Sequence, residues 1–478
     1  MSLPTLVHAQ APPADLLLRD VHLFDPRADL DGRYDLLVRA GAIASMGAPG
    51  TLSVAGEPSP GVAPAPGTFQ ADGGDAEVEV VEGHGRLRAL PAFFDPHVHL
   101  RTPGQEHKED IESGTRAAAA GGFGAVLAMP NTDPPIDSPE LLRLVRETAG
   151  RVAHVPVGFV AAITSGLSGG RLTAMKALRE QGAVGFTDDG YPVASAGLLR
   201  EALHRQRECG GVLALHEEDR SLSQGGSMNE GVLGAELGIP GIPCASEATM
   251  VARDATLAGC VGGRVHFQHL SCRASVEALA AAKALGVGVS AEATPHHLLL
   301  SEGDVRGLDT RMKMNPPLTT DADRGALVEA LRTGVIDCVA TDHAPHARAE
   351  KALPFTEAPM GTTGLETAFA ALYTGLVLPG VLGLDVLVER MTAGAALFEL
   401  PTPGIAVGEQ ANLTVIDLDA EWTAGEHGWE SRSASCCFAG RRLRGRVLLT
   451  LAAGGVAYRA GAGAAGAGAT GEGRAVAV

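Results

Sequence analysis

The sequence has little positive charge, no long apolar run and no C-x-x-C motif. Its 478 residues include 38 Lys and Arg against 56 Asp and Glu, so the formal net charge is −18. Surfaces that bind nucleic acid or anionic membranes need clustered Lys and Arg. The charge balance therefore argues against nucleic acid and membrane as partners, and an anionic small molecule would need a local positive centre.

Signals for export and membrane insertion are also missing. No uninterrupted apolar stretch approaches the roughly 20 residues that cross a bilayer. The segment Ala9-Gln10-Ala11 resembles a signal-peptidase site, but no basic segment and no sustained apolar run precede it. The seven cysteines are an odd number without a C-x-x-C pair, which is typical of a reducing compartment. We expect a soluble, cytoplasmic protein.

Both ends of the chain have β character. Between Leu16 and Met46 short apolar runs alternate with turn residues, as in LLLRDVHLFDP and YDLLVRAGAIASMG. The pattern returns after Glu399, in GIAVGEQANLTVIDLD and RRLRGRVLLTLAAGGVAYR. Two isolated short sheets would each bury too little surface, so we interpret the two segments as one small composite β-sandwich.

The remaining boundaries follow from composition. Residues 1–15 form an N-terminal extension, and residues 16–90 and 401–459 form the two parts of the sandwich. Within the first part, the Pro- and Gly-rich stretch 47–75 is predicted to be a mobile surface insertion. The Ala/Gly-rich residues 460–478 are predicted to be a disordered tail.

Residues 91–400 alternate short apolar runs with helical segments, which is the signature of βα units. The eight runs are ALPAFFDPHVHL, GAVLAMPNT, VPVGFVAAIT, GAVGFTDDG, GVLALHEED, RVHFQHLS, GVGVSAEATPHHL and IDCVATDHAPH. The helical candidates are Asp110–Ala120, Pro139–Arg151, Arg171–Gln181, Ala196–Cys209, Ser246–Ala258, Ala274–Leu285 and Asp321–Arg332. Eight units favour an α/β fold with a (β/α)₈ TIM-type barrel. Six of the runs end in His or Asp, where barrel active sites gather.

Histidines and aspartates recur at these strand ends. In FFDPHVHLR, His97 and His99 are two residues apart on a predicted strand, so both point to one side, the barrel interior. Such a pair alone is more often a hydrogen-bonded core or surface feature. The same position in other runs holds further candidates, namely Asp189, His216, His269 and Asp342.

The number of candidates predicts a binuclear site. Four imidazoles and two carboxylates exceed what one tetrahedral zinc accepts, but they suit two divalent ions that share a bridging carboxylate. The alternative is six unrelated buried polar residues. That arrangement would leave charges unpaired in a dry core, at a cost of several kcal/mol each.

At the level of longer motifs the chain resembles the dihydroorotases of the bacterial class I type, in the amidohydrolase superfamily. The matching stretches, in family order across residues 91–367, are DPHVHLRTPGQEHKEDIESGTRAAAAGGF, MPNTDPPID, GFTDDG, LHEED, VHFQHLS, EATPHHL, MNPPL, ATDHAPH and GTTGLETAF. The resemblance implies a zinc-dependent hydrolase of cyclic amides. Its expected reaction is the reversible cyclisation of N-carbamoyl-L-aspartate to (S)-dihydroorotate plus water, in pyrimidine biosynthesis.

The resemblance also implies roles for the candidates, with two Zn²⁺ per subunit. His97, His99 and Asp342 would hold the more buried metal, His216 and His269 the second, and Asp189 would bridge the two. Many superfamily relatives bridge with a carboxylated lysine, so the aspartate favours dihydroorotase over allantoinase or dihydropyrimidinase. The family pattern selects Asp189 rather than Asp188, and adjacent strand residues point opposite ways.

Further roles come from the same resemblance. Asp342 would be the general acid/base that takes a proton from a metal-bridging hydroxide and passes it to the leaving ring nitrogen. A guanidinium can grip a carboxylate with two parallel hydrogen bonds, which suits Arg101 to an acidic substrate. The implied substrate-binding residues are His99, Arg101, Asn131, Asn315, His346, Met360 and Gly361. The chain departs from the family pattern at Ala92, Thr102 and Met360.

Two rival functions share most of these features. An allantoinase-like or hydantoinase-like enzyme would use the same metal chemistry on a ring without a carboxylate. An inactive dihydroorotase-like scaffold for aspartate transcarbamoylase would be expected to have lost metal-ligating histidines. The sequence leaves open a homodimer and an association of an active enzyme with aspartate transcarbamoylase.

Overall fold

A computed structural model of the chain describes residues 6–53 and 78–461. Residues 54–75 of the predicted insertion 47–75 lie outside the described residues. So do residues 462–478 of the predicted tail.

The regular elements follow one another along most of the chain. The strands are β1 (Leu16–Asp25), β2 (Leu30–Arg39), β3 (Ala42–Gly47), β4 (Glu79–Glu82), β5 (Arg88–Pro91), β6 (Phe93–Val98), β7 (Phe123–Ala128), β8 (Val157–Phe159), β9 (Leu213–Leu215), β10 (Met228–Asn229), β11 (Gly241–Ile242), β12 (Val265–Phe267), β13 (Val289–Ala293), β14 (Cys338–Val339), β15 (Leu413–Thr423), β16 (Arg442–Ala452) and β17 (Gly455–Arg459). The α-helices are α1 (Ile111–Ala120), α2 (Pro139–Val152), α3 (Met175–Glu180), α4 (Ala196–Cys209), α5 (Arg220–Ser223), α6 (Val232–Leu237), α7 (Cys244–Val261), α8 (Arg273–Ala284), α9 (Pro295–Leu299), α10 (Asp321–Thr333), α11 (Arg348–Lys351), α12 (Ala368–Leu372), α13 (Leu384–Thr392) and α14 (Gly394–Leu397). In the part of the chain that the structure describes, none of these helices combines the length and the hydropathy needed to span a membrane.

Parallel strands alternate with helices through the middle of the chain, which confirms the predicted α/β class. One sheet has the order β6-β7-β8 and another the order β14-β13-β12-β9, and all neighbours are parallel. Parallel bridges connect the two sheets, from Ala161 to Phe186 and from Phe186 to Leu213. A further parallel bridge joins Val98, at the end of β6, to His343 beyond β14. Parallel strand pairing can therefore be followed from β6 through both sheets and, by the bridge between His343 and Val98, back to β6.

Five of the seven predicted helices lie within one residue of the observed bounds, whereas α7 (Cys244–Val261) extends past the predicted Ser246–Ala258 at both ends. Helix α4 has the predicted bounds, and α1 begins one residue after its predicted start because Asp110 is its N-cap and accepts from the Ser113 amide at 2.8 Å. The predicted helix Arg171–Gln181 is shorter, since α3 begins at Met175. The preceding residues are held extended instead, because the Thr173 amide donates to the Ile163 carbonyl at 2.9 Å.

Strands from both chain ends form one sheet. Its order is β17-β16-β15-β5-β1-β2-β3, and β4 pairs with β1. The junction between the two ends is the antiparallel pair β15 and β5, in which Leu413 lies opposite Pro91. Because β6 starts two residues after Pro91, this sheet is connected directly to the strand that carries His97.

Aromatic packing joins β6 to α12 and the residue that follows it. The Phe93 ring stacks on Phe369 with centroids 5.3 Å apart, and Phe369 stacks on Tyr373 at 5.7 Å. Phe93 and Phe369 are almost fully buried. Residues of the predicted extension 1–15 that the structure describes also pack on the body, since Val7 bridges to Val157.

Candidate metal centre and active site

The six predicted metal ligands come together at one end of the parallel strands. Each follows the carboxyl end of a strand or bridge: His97 and His99 at the end of β6, Asp189 after the Phe186 bridge, His216 after β9, His269 after β12 and Asp342 after β14. All six are buried, with His97 at 0% relative exposure. Parallel neighbours place the ends of their strands on the same side, so the local sequence order positions the whole group.

Backbone geometry at this end is unusual for residues with side chains. Arg101, His269 and Asp342 have φ angles of 57°, 31° and 45°. Such left-handed conformations are uncommon outside glycine and cluster at functional sites, where surrounding structure enforces them. Three predicted site residues therefore adopt conformations that local preference alone would not select.

Asp189 lies at the centre of the histidines. Its Oδ1 is 3.6 Å from His97 Nε2, 3.7 Å from His216 Nδ1 and 3.9 Å from His269 Nε2. Its Oδ2 is 3.5 Å from His99 Nε2. Both carboxylate oxygens of Asp189 thus lie among the four imidazoles.

Asp342 approaches the first two histidines from the other side. Its Oδ1 lies 3.1 Å from His99 Nε2 and 3.6 Å from His97 Nε2. Two groups of side chains each bring their ligand atoms within 4.8 Å of one another: His97, His99 and Asp342, and His97, Asp189 and His269. Both groups are fully buried, and they share His97.

The orientation of the imidazoles fits a metal. In three of them one ring nitrogen is held by an acceptor oxygen while the other points to the centre. His97 Nδ1 lies 2.7 Å from Glu292 Oε1, His99 Nδ1 2.9 Å from Asn131 Oδ1, and His216 Nε2 3.2 Å from Glu218 Oε2. When the ring nitrogen that faces the acceptor oxygen carries the proton, the other ring nitrogen, which points to the centre, keeps a lone pair. An imidazole coordinates metal in this form. Within residues 6–53 and 78–461, His97 Nε2 has no hydrogen-bond partner, as expected of a ligand atom.

The two adjacent aspartates occupy different environments. Asp188 points away from the histidines and accepts the Thr164 amide at 2.9 Å, and burial raises its pKa to about 6 against the effect of these hydrogen bonds. Burial would also raise the pKa of Asp189. The surrounding imidazoles, His97 first among them, outweigh burial and hold the Asp189 pKa well below its usual range. Of the two, Asp189 lies among the histidines, whereas Asp188 is bonded to Thr164.

Glu292 at the end of β13 is a residue that the sequence motifs did not single out. Besides His97 Nδ1, its carboxylate accepts His266 Nε2 at 3.0 Å and the His269 amide at 3.3 Å. Burial opposes ionisation, but the charge of His97 and the hydrogen bonds from His266 and His97 lower the Glu292 pKa to about 2. A charged residue inside a buried strand was the available signal in EATPHHL, because an unpaired carboxylate there would be costly.

Glu218 was also missed. Its carboxylate accepts His216 Nε2 and the Ser223 hydroxyl, and Asn315 Nδ2 donates to it at 3.1 Å. Burial opposes its ionisation, yet these hydrogen bonds and the His216 charge lower its pKa to about 2. The residue therefore connects a predicted metal ligand to a predicted substrate contact.

The predicted substrate contacts surround the same centre. The Arg101 side chain is buried, and its Nε donates to the Pro345 carbonyl at 3.2 Å. Asn131 Nδ2 donates to Asp189 Oδ2 at 2.9 Å. His346 Nε2 donates to the Met360 carbonyl at 2.8 Å, which brings the backbone of residues 360–361 against the imidazole. Asn131 thus contacts a predicted metal ligand directly, and Arg101 bonds to the residue that precedes His346.

Solved structures of hydantoinases and dihydropyrimidinases have the same fold. L-hydantoinase from Arthrobacter aurescens matches with a TM-score of 0.77 at 24% identity, over 93% of this chain and 96% of that chain. Dihydropyrimidinase from Brevibacillus agri NCHU1002 matches with a TM-score of 0.75 at 21% identity, over 93% and 95%. Fold and site together define an α/β protein of hydantoinase fold with a buried histidine–carboxylate centre that could hold metal.

Sequence relatives specify the family within this class. A family model described as Dihydro-orotase-like matches residues 85–275. The dihydroorotase of Staphylococcus epidermidis is 44% identical over 384 residues, 80% of this chain and 90% of the relative. That of Geobacillus thermodenitrificans is 44% identical over 394 residues, 82% of this chain and 91% of the relative. The chain belongs to the dihydroorotase family, which confirms the resemblance, and it is a hydrolase of cyclic amides.

Proposed function

We propose that this enzyme is a dihydroorotase that catalyses the reversible cyclisation of N-carbamoyl-L-aspartate to (S)-dihydroorotate and water, a step of pyrimidine biosynthesis. The proposal rests on one observation above all. Four imidazoles and two carboxylates converge at the strand ends of a chain that is 44% identical to dihydroorotases over 80% of its length.

The finer architecture is part of this proposal. We infer that residues 91–400 form a closed (β/α)₈ barrel, since parallel pairings connect β6 back to itself through the bridge between Val98 and His343. Residues 16–90 and 401–459 would then be the two parts of a small composite β-sandwich domain. The sheet shared by β5 and β15 supports that division.

The proposed metal content is two Zn²⁺ with Asp189 as the bridge. His97, His99 and Asp342 would hold one ion and His216 and His269 the other. Divalent zinc lowers the pKa of water toward neutrality and polarises carbonyl oxygens, and it would supply both effects here.

Asp342 is the proposed proton carrier. Burial would raise its pKa, but the hydrogen bond from His99 and the charge of His97 keep its pKa below the usual range. It is therefore ionised at neutral pH and can accept a proton before donating it to the leaving ring nitrogen. In the synthetic direction the same carboxyl accepts the proton of the attacking ureido nitrogen.

Arg101 is the proposed recognition group for the substrate carboxylate. Its guanidinium is buried, and its terminal nitrogens can form the paired hydrogen bonds that a carboxylate favours. Asn131 and His346 would assist it, while His99, Asn315 and the backbone of residues 360–361 would contact the rest of the ligand. Hydantoin and allantoin carry no carboxylate, so these residues favour dihydroorotate over the rival substrates.

An assay of both reaction directions tests the proposal. Purified enzyme is incubated with N-carbamoyl-L-aspartate or dihydroorotate at several pH values, with hydantoin and allantoin as controls. Closure consumes a proton, so we expect ring formation to be favoured at acidic pH and hydrolysis at alkaline pH. No conversion of dihydroorotate in either direction would overturn the named activity.

Metal analysis separates the enzyme from a non-catalytic scaffold. We expect close to two zinc ions per chain after purification or reconstitution. A preparation that holds only traces of zinc and cannot be reconstituted would support the scaffold for aspartate transcarbamoylase instead.

A cytoplasmic location and an association with a second copy or with aspartate transcarbamoylase complete the proposal. Sedimentation of the enzyme alone and with aspartate transcarbamoylase distinguishes a monomer, a homodimer and a mixed complex.

A further inference from the structure

Two buried lysines near the site have no acidic partner. Lys313 and Lys351 are only 4% and 8% exposed. Within the two ranges that the structure describes, neither ammonium has a carboxylate oxygen within the 4.0 Å of an ion pair. A buried charge without a counter-ion is costly unless many dipoles solvate it. The compensation must therefore come from elsewhere.

Backbone carbonyls of one loop supply that compensation. The loop comprises residues 352–361, which follow α11. Lys313 Nζ donates to the carbonyls of Thr356 at 3.1 Å and Ala358 at 2.7 Å. Lys351 Nζ donates to the carbonyls of Pro359 at 3.0 Å and Gly361 at 2.8 Å, and to that of Lys313 at 3.3 Å. Four carbonyls of the loop are thus oriented by two ammonium groups.

The end of this loop lies against the proposed active site. The Gly361 amide donates to the Lys313 carbonyl at 2.9 Å, and the Met360 carbonyl accepts His346 Nε2. Gly361 has a φ of +140°, and a Cβ there would lie 2.9 Å from His346 Nε2. A small displacement of the loop would therefore move the backbone that is expected to contact the substrate.

The same lysines add positive charge to a strongly acidic chain. Arg101 is likewise buried without an ion pair among the described residues, and burial together with the charges of Arg101 and Lys351 lowers the pKa of His346 to about 3. Arg101 and Lys351 are therefore both close enough to act on His346, whose imidazole contacts the loop at Met360.

We propose that Lys313 and Lys351 are positioning residues that hold the Met360–Gly361 backbone in its substrate-binding conformation. This inference rests on the proposed function, because it assumes that the acidic substrate binds beside Arg101. It assigns the lysines no contact with the reacting atoms.

The test uses the full-length, zinc-loaded enzyme and the variants Lys313→Gln and Lys351→Gln. The matched control is Lys176→Gln, which removes one positive charge from an exposed position on α3. Loss of charge-assisted hydrogen bonds should raise KM for dihydroorotate about tenfold while kcat changes less than about twofold. The zinc content should not change, and the control should match the wild type.

Hydrogen exchange gives a readout that is independent of turnover. The amides of Glu357, Ala358 and Gly361 are hydrogen-bonded in this loop, and they should exchange at least about tenfold faster in both variants. Wild-type KM with wild-type exchange, or a fall in kcat with KM unchanged, would overturn the inference.

Two further outcomes remain distinguishable. If a variant does not fold, as judged by circular dichroism, exchange of the same amides in the wild type decides the question, because unprotected amides would contradict a loop held by lysines. If the wild type does not convert dihydroorotate, the proposed function fails, and the exchange experiment still tests the lysines alone.

Discussion

Replacing Glu292 by Gln tests whether a buried carboxylate orients the metal ligands. The side chain keeps its size, but one oxygen becomes an NH₂ group that donates and cannot accept. Both oxygens of Glu292 are in use, toward His97 Nδ1 at 2.7 Å and His266 Nε2 at 3.0 Å. One imidazole must therefore lose its acceptor and face a donor.

The expected loss of zinc affinity follows from the hydrogen bonds that the substitution of Glu292 disturbs. A hydrogen bond to a charged partner contributes about 1.5–3 kcal/mol, and loss of an acceptor behind a metal-bound histidine weakens metal affinity about 10- to 100-fold. That range corresponds to roughly 1.4–2.7 kcal/mol, so the two figures agree. The expected result is a variant with weaker zinc binding, a normal fold and activity that returns in excess zinc.

The assay is competition for zinc between the enzyme and a chelator of known affinity, with bound metal measured by mass spectrometry. Glu277→Gln is the control, since it makes the same change at an exposed position on α8. Equal zinc affinity of the Glu292 variant and the control would refute the positioning role of Glu292.

Three other predictions follow from the geometry. Arg101→Ala should sharply reduce dihydroorotate turnover through KM while both zinc ions stay bound, and retained turnover would contradict the carboxylate assignment. Phe369→Ala should cost about 3–5 kcal/mol of unfolding free energy in urea denaturation, because the ring stacks on Phe93 and Tyr373, and a change below 1 kcal/mol would contradict that estimate. Burial raises the pKa of Glu366 from 4.5 to about 8. A raised carboxyl pKa means that the stability of the wild type falls as pH rises from about 4.5 toward 8. Glu366→Gln removes this carboxyl, so the midpoint of thermal unfolding should change less with pH across that window.

The gathering of His and Asp residues at the ends of the strands was predictable from the sequence. The apolar runs and their terminal His and Asp residues indicated which side chains would meet, because parallel strands place their ends together. Alternation along a strand implied that only one of Asp188 and Asp189 could face the histidines, the family pattern selected Asp189, and the structure places the two in different environments.

Residues that orient these ligands were not predictable in the same way. Glu292 lies 195 positions from His97 in the sequence, and a glutamate in a short motif has no local feature that reveals such a partner. The predicted start of α3 was wrong because, here too, a contact outside the local segment decides the structure. Hydrogen bonds of Thr173 to a neighbouring segment outweigh helix propensity, which is a weak preference by comparison.

The sheet made from both chain ends constrains the order of events during translation. Strands β1 to β5 leave the ribosome early, whereas β15, the partner of β5, is made only after all of the parallel strands. During that interval β5 exposes an unpaired edge, and such edges recruit strands of other molecules. A nascent chain of this enzyme therefore carries an aggregation-prone edge throughout synthesis of its catalytic segment, which gives a chaperone a defined period in which to act.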